Sequence, residues 1–486
     1  MIFPPCFRPC VRWWSILALA ATAVSAAPPT VVVQVEPQQR HQTIEGFGCS
    51  INAWTAPHYR LYYDDAFTDF AANELGMSVF RLQMWGGVSP QEIPDWREIS
   101  HEKFRWTGEG LRGKMNVDWA RRLVAANPEA RIIGTVWSAP GWMKENNSRS
   151  GTRAGYLLDP ARTHDHDNRL REDRYEHFAK WVVEWARYME SQGTPFHAIS
   201  LQNELVFTQW FESTLYTPEE YARVVQVTGE MFEREGVRKP LFFGPEDMTH
   251  ATYGDTARHR PFIDALLNSG AARYFDVFAT HGYSDGVQAD SRNNAVAYWR
   301  SIERFGRPYW ITEGGSDEHA WPAPVVSGIA PRLHVALTEA NVSLFTGWQL
   351  TSGPGNATGH HFMHWDQPTP KTYATMHYWR HVRPGAVRVA AQVDPAQDLL
   401  VSAYVHDERG EAVTILINQS AEARVAAVEW ADSPGPAWRG WQTSADQSHA
   451  PIEVARQDGS GRRSVPLPAF SITTVVAERI APPAAP

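Results

Sequence analysis

The sequence predicts an α/β chain, a (β/α)8 barrel carrying an attached all-β sandwich side domain. Three observations carry this. Short apolar, β-compatible runs recur along most of the 486 residues, and most of the gaps between them show helical periodicity. Beyond about residue 385 the helical pattern stops and short alternating runs take over.

The runs of the first part follow in order. Gln42 to Gly48 ends in glycines, and Ser78 to Gln83, Arg131 to Trp137 and His197 to Gln202 follow it. Leu241 to Gly244, Phe275 to His281, Tyr309 to Thr312 and Val342 to Trp348 complete a set of eight. Tyr175, Phe178, Val182, Trp185 and Met189 recur at three- and four-residue spacing, and Gly193 and Pro195 close that helix. Thr217-Pro-Glu-Glu220 is a capping box with Pro at the first helical position, opening a helix that stops near Gly236. An open doubly wound sheet is disfavoured because no Gly-rich phosphate loop follows the first strand.

The predicted division is a leader over 1–26, an N-terminal strand over 27–40 that joins the side domain, a barrel over 41–384, a β-sandwich over 385–480 and a disordered tail over 481–486. In the sandwich the strand runs are Leu399 to Val405, Ala412 to Ile417, Ala423 to Trp430 and Ser464 to Val476, with Val31 to Val35 added from the N-terminal side. Arg8 and Arg12, the apolar stretch Trp13 to Val24 and the small residues Val24-Ser25-Ala26 read as a secretory signal, so a secreted protein is expected. With that leader go Cys6 and Cys10, leaving Cys49 as a packed thiol without a disulfide partner. A net charge of −9 without long runs argues against nucleic acid and anionic membranes as partners, and a monomer is expected. The 21 Trp residues suit sugar faces, and Trp54, Trp85, Trp142 and Trp210 are candidate platforms near strand ends.

In a barrel of this class chemistry sits at the C-terminal ends of the strands. There the chain places Arg81, Trp137, Asn203 with Glu204, Glu246, His281 with Tyr283, Glu313 and Trp348. Glu204 closes the fourth run and Glu313 the seventh. Glycoside cleavage requires one carboxylic acid to protonate the leaving oxygen and a second carboxylate to attack the anomeric carbon or activate water. Two facing glutamates meet that need, and no cofactor or metal motif is present. His164-Asp-His-Asp167 reads as a solvated loop, and Gly353 to His361 as a glycine-rich connection beside the cleft.

Asn203-Glu204 and Glu313 resemble the acid/base and nucleophile of the retaining β-glycosidases that share this barrel. Arg81, Tyr283 and Trp348 match the supporting residues of that superfamily. Within it, Gly46-Phe-Gly48, Ser138-Ala-Pro-Gly-Trp-Met-Lys144, the fourth run and Arg383-Pro-Gly-Ala-Val-Arg388 resemble glycoside hydrolase family 30 over nearly the whole mature chain. The resemblance implies a retaining hydrolase of a β-linked polysaccharide of xylan, β-1,6-glucan or β-1,6-galactan type. An exo-acting β-glycosidase and a non-catalytic carbohydrate-binding barrel are the alternatives. Two departures stand out. Leu205 replaces the Pro usual after the Asn-Glu pair, and no Arg occurs from His334 through Trp379, where Lys371 is the one lysine. The second departure disfavours a uronate-dependent xylanase.

Overall fold

A computed structural model describes residues 28–51, 56–87, 91–106, 110–151, 167–208, 211–248, 256–283, 294–316, 318–352, 359–394, 398–432, 435–457 and 461–479. Strand β1 (Thr30–Thr43) precedes the barrel strands β2 (Gly46–Ser50), β3 (Val79–Gln83), β4 (Arg131–Thr135), β5 (Phe196–Ser200), β6 (Leu241–Met248), β7 (Phe275–Gly282), β8 (Tyr309–Gly314) and β9 (Leu344–Ser352). Each of β2 to β9 pairs in parallel with the next, and β9 closes the ring on β2 while pairing with β8. Short strands β10 (His361–His364) and β11 (Gln367–Pro368) extend the sheet outward from β9.

Helices α1 (Asp65–Asp69), α2 (Gly110–Ala126), α3 (Tyr175–Ser191), α4 (Pro218–Arg234), α5 (Thr256–Leu267), α6 (Asn294–Ile302), α7 (Ala323–Val326), α8 (Ile329–Thr338) and α9 (Pro370–Trp379) occupy the connections. The expected capping box is present on α4, where the Thr217 hydroxyl accepts from Glu220 N and the Glu220 carboxylate accepts from Thr217 N. On α3, Phe178, Val182, Trp185 and Met189 lie fully buried on one face, as their spacing predicts. Inside the barrel Val79, Ile133, Ala198, Phe243, Val277, Ala279, Trp310 and Leu344 fill the interior as one cluster, so the barrel is a packed core and its chemistry is confined to the rim.

After the barrel come β12 (Val387–Asp394), β13 (Leu399–His406), β14 (Glu411–Asn418), β15 (Arg424–Trp430), β16 (Trp438–Thr443), β17 (Ala450–Ile452), β18 (Ala455–Arg456), β19 (Arg463–Leu467) and β20 (Ser471–Glu478). They form one continuous sheet in the order β17, β16, β20, β14, β13, β12, β1, β15, β19, β18. The expected sandwich is thus a single sheet curled over its own core. Trp430 Nε1 on β15 reaches Thr414 Oγ1 on β14, although three strands separate them in the sheet, and Gln442 Nε2 on β16 reaches the Pro466 carbonyl on β19. The single run expected over Ser464 to Val476 is two strands, β19 and β20.

Strand β1 holds the two parts together. It runs antiparallel to β12 and parallel to β15, and Ile44 just after it exchanges backbone hydrogen bonds with Gly385 and Ala386. Arg383 then donates to the carbonyls of Gly76 and Trp379 and pairs with Glu129. Tyr404, Val413, Ile415, Ile417, Ile472 and Val476 of the side domain belong to the same buried apolar cluster as the helices around the barrel.

Candidate active site

Arg81 organises the rim from the end of β3. It is fully buried, and its guanidinium donates to three side chains on three other strands or their following loops. Nε meets Glu246 Oε1 at 3.0 Å, Nη1 meets Glu313 Oε1 at 2.5 Å and Nη2 meets Asn203 Oδ1 at 2.9 Å. The flat face lies over the Trp137 ring, 4.5 Å from its centroid. A planar fork with five donors suits this task, and Lys would not replace it.

Glu313 receives a second donor, Tyr283 Oη at 2.7 Å on Oε2. Glu204 lies across from it with φ of 46°, a conformation that costs a non-glycine residue energy and is held here by neighbouring backbone. Glu204 N donates to the Glu246 carbonyl at 2.7 Å and Asn203 N to the Val136 carbonyl at 2.7 Å, which aims both side chains into the mouth. His281, fully buried at the end of β7, sits between the carboxylates. Its Nδ1 is 3.1 Å from Glu204 Oε1 and 3.4 Å from Glu313 Oε2. One atom each from Glu204, His281 and Glu313 lies within 4.8 Å of the others.

The charges interact strongly because water is excluded. Burial alone would raise the Glu246 carboxyl, but Arg81 and then His281 pull it down to about 2. Burial alone would lower His281, yet Glu313, Glu204 and Glu246 around it raise it to about 10, so the imidazole is a cation at neutral pH. Glu313 is raised: burial outweighs His281, Arg81 and the Tyr283 hydrogen bond, which all favour its ionised form, and Glu204 adds repulsion. Burial also raises the Tyr283 phenol, which remains a donor to Glu313.

The structure therefore brings Arg81, Asn203, Glu204, His281, Tyr283 and Glu313 together. Trp85, Trp137 and Trp348 join them as an aromatic row, with ring centroids 6.1 Å apart for the first pair and 5.8 Å for the second. Trp348 lies inside β9 instead of after it, because that strand starts later and runs further than its apolar run suggests. Trp142 departs from the set: it packs edge-on against His177 of α3 and lines a separate cavity with Glu92, Lys144 and Arg171. Trp54, Trp210, His164 to His166, and Gly353 to Thr358 lie outside the described residues, as do 1–27 and 480–486. Cys49 is buried, and burial holds its thiol protonated. Leu205 is fully buried and its carbonyl accepts from Tyr216 N.

Two residues take a larger part than the sequence reading gave them. Glu246 shares Arg81 with Glu313, and its position at the end of the fifth barrel strand was the available signal. His360, just before β10, lies tilted against Tyr283 with ring centroids 4.8 Å apart, and β10 is a strand the sequence reading did not anticipate.

No family model matches the chain. Glucuronoxylanase XynC of Bacillus subtilis (strain 168) is 24% identical over 474 residues, spanning 96% of this chain and 95% of that protein. An endo-1,6-beta-D-glucanase of Neurospora crassa is 26% identical over 306 residues, 60% of this chain and 58% of that enzyme. In fold, the family 30 subfamily 8 xylanase Xyn30A of Clostridium acetobutylicum superposes with a TM-score of 0.71 at 21% identity, covering 92% of this chain and 99% of that one. Relatives that are polysaccharide hydrolases along almost the full length, on the same barrel, make this chain a glycoside hydrolase. Its similarity to these proteins agrees with the resemblance to glycoside hydrolase family 30 carried by its strand-end residues.

Proposed function

We propose that Glu204 is the acid/base and Glu313 the nucleophile of a double displacement at a β-glycosidic bond, in an exported enzyme acting on a neutral β-linked polysaccharide. The observation that carries this reading is the approach of the two carboxyl groups to within 4.8 Å at the mouth of the barrel. Retention needs a separation of about 5–5.5 Å, whereas an intervening water in an inverting enzyme needs about 6.5–9.5 Å. In the first half reaction Glu204 gives its proton to the leaving oxygen while Glu313 attacks the anomeric carbon. In the second, Glu204 takes a proton from the water that releases the sugar. Arg81, Tyr283 and His281 hold the carboxylates, Asn203 is fixed by Arg81, and Trp85, Trp137 and Trp348 offer faces to the sugar.

A neutral substrate is favoured by the surroundings of β10. Lys371 is the single basic side chain, His aside, between His334 and Trp379, and its Nζ is buried and donates to the carbonyls of Ser316 and His361. Export rests on the leader reading of residues 1–26; among the described residues no helix is long and apolar enough to cross a membrane.

The test is incubation with xylan, β-1,6-glucan, β-1,6-galactan and arabinogalactan, with chromatography of products and NMR of the first-formed anomer. The expected result is cleavage of a neutral substrate with the β-anomer released first. Glu313→Gln should abolish turnover while sugar binding persists. An α-anomer released first, or wild-type rate in Glu313→Gln, would refute the assignment.

A further inference from the structure

A second cluster of ionisable side chains lies just outside the site, where β10 flanks the loop after β8. His319 from that loop and His361 and His364 from β10 present ring nitrogens that all lie within 4.8 Å of one another. The rings are packed face to face or tilted, with centroids 4.5 Å apart for His319 and His361, 5.0 Å for His319 and His364, and 4.9 Å for His361 and His364. His361 is fully buried, His319 nearly so and His364 half-buried.

Three polar rings gathered in one place need something in common to offset their lost hydration. Their hydrogen bonds do so only in part. His319 Nε2 is 2.9 Å from the Gly359 carbonyl, which can only accept, so Nε2 carries the proton, and the Nδ1 lone pair lies 3.4 Å from the Thr369 hydroxyl, a long contact that a metal ion would have to displace. His361 Nε2 and His364 Nδ1 are 3.0 Å apart and share one proton between them. His361 therefore turns Nε2 toward the cluster, and its Nδ1 on the far side of the ring is buried without a hydrogen-bond partner.

We propose that His319, His361 and His364 form a binding site for a borderline-soft divalent transition metal ion, Zn2+ or Cu2+, with a fourth position open to water. Three observations set the chemistry. Imidazole without carboxylate suits these ions and not Ca2+ or Mg2+, which require oxygen ligands. The His319 tautomer, fixed by a backbone carbonyl on its far nitrogen, is the arrangement that orients metal-ligating histidines. The 3.0 Å contact between two ring nitrogens is within a few tenths of an ångström of the spacing that neighbouring ligands adopt around a tetrahedral ion with bonds of about 2.0–2.1 Å. The ammonium of Lys371, bonded to the His361 carbonyl, opposes a cation there, and three-imidazole coordination has to exceed that repulsion.

Such an ion would clamp β10 to the loop that follows Glu313. His360, next to His361, packs on Tyr283, and Tyr283 donates to Glu313. The clamp therefore acts on the rim of the active site without touching the reacting atoms.

The test uses full-length, tag-free protein stripped with a chelator and titrated with Zn2+ by equilibrium dialysis and calorimetry. Cu2+ loading is followed by electron paramagnetic resonance for nitrogen hyperfine structure. One equivalent should bind, raise Tm to a plateau at that ratio and show nitrogen ligands. His364→Ala, half-buried on β10, and His319→Ala should each weaken binding at least about 10–100-fold, the scale seen when only a supporting partner is lost. Glu313→Gln should leave it unchanged, which separates this site from the carboxylate cluster. Absence of stoichiometric binding overturns the proposal, as does equal binding by wild type and His364→Ala with native circular dichroism. Binding lost in Glu313→Gln and kept in the histidine variants overturns it too.

Discussion

Replacing Arg81 with Met removes the charge while keeping an unbranched apolar side chain, and so isolates what the guanidinium does. Glu246 and Glu313 would then face each other's field with His281 as the remaining partner cation. The size of the loss can be worked from Glu246. Its fall from 4.5 to about 2, which Arg81 leads and His281 and Thr312 share against burial, amounts at about 1.36 kcal/mol per pH unit to on the order of 3 kcal/mol, a scale for what losing Arg81 puts at risk. Breaking a buried pair from one side costs about 3–5 kcal/mol, which agrees. The sign also fixes a pH window. A depressed carboxyl contributes stability that is present above 4.5 and lost as pH falls through about 2, so the deficit of Arg81→Met should shrink over that range. Denaturant unfolding at neutral pH, repeated in acid, measures both. Arg81→Met/Glu246→Gln should recover much of the loss, because it removes the stranded charge. A single variant less than about 1 kcal/mol below wild type, or a double variant no better than the single, would refute the reasoning.

Three further outcomes are expected. The acid limb of kcat/KM should lie above 4.5, because burial raises the Glu313 carboxyl and activity is lost as pH falls through it. Tyr283→Phe, which removes a hydrogen bond to the ionised form, should move that limb higher, and a limb at or below 4.5 would contradict the charge arrangement. At the domain interface burial lowers His377 and His381, and burial with Arg380 lowers His449 to about 4, so the folded state loses stability as pH falls from 6.5 towards about 4. Tm should decline over that window, and His449→Leu should flatten the decline; an equal slope in both proteins would exclude His449 as its source. Residues 27–385 expressed alone should be insoluble or unstable. Uncovering the contacts of Tyr404, Val413, Ile415, Ile417, Ile472 and Val476 at about 1.5–3 kcal/mol each is comparable with a whole domain's stability of about 5–15 kcal/mol. A soluble, active truncation would refute this.

The barrel was legible because each of its buried strands is an apolar run, and because α3 and α4 carry unambiguous periodicity and caps. Glu204, Glu313 and Arg81 were legible because a charged residue that abruptly ends such a run has few places to go except the rim. What stayed hidden depends on tertiary placement. Trp142 sits in a loop near a strand end like Trp137, but Trp142 turns toward His177 while Trp137 lies under Arg81, and nothing local distinguishes the two. Strands β10 and β11 are too short to register as runs, so His360 and the His319, His361 and His364 group emerged only with the fold. The side domain's β16 was missed because Gly440 interrupts its alternation, and β12 was missed although Val387, Val389, Ala391 and Val393 recur at every second position along it. Its sheet curls back on itself, so β14 and β15, and β16 and β19, face each other across one core as the two layers of a sandwich would.

The charges at the barrel mouth also account for how one arrangement can serve both halves of the proposed reaction. Arg81 and His281 are cations, and Glu246, at about 2, is a fixed anion, so this buried trio carries one net positive charge. Burying an uncompensated charge is costly, and the trio is balanced when the facing pair of Glu204 and Glu313 carries one negative charge and one proton. That is the protonation the first half reaction requires, with Glu313 as the anion. When Glu313 bonds to the sugar its charge is consumed, and the proton leaves with the departing oxygen, so the single negative charge passes to Glu204. The balance with the trio is unchanged. His281 Nδ1, 3.1 Å from one carboxylate and 3.4 Å from the other, faces the anion in either state without moving. The environment need not reorganise as the charge crosses the mouth, which is the condition under which preorganised electrostatics lowers a barrier.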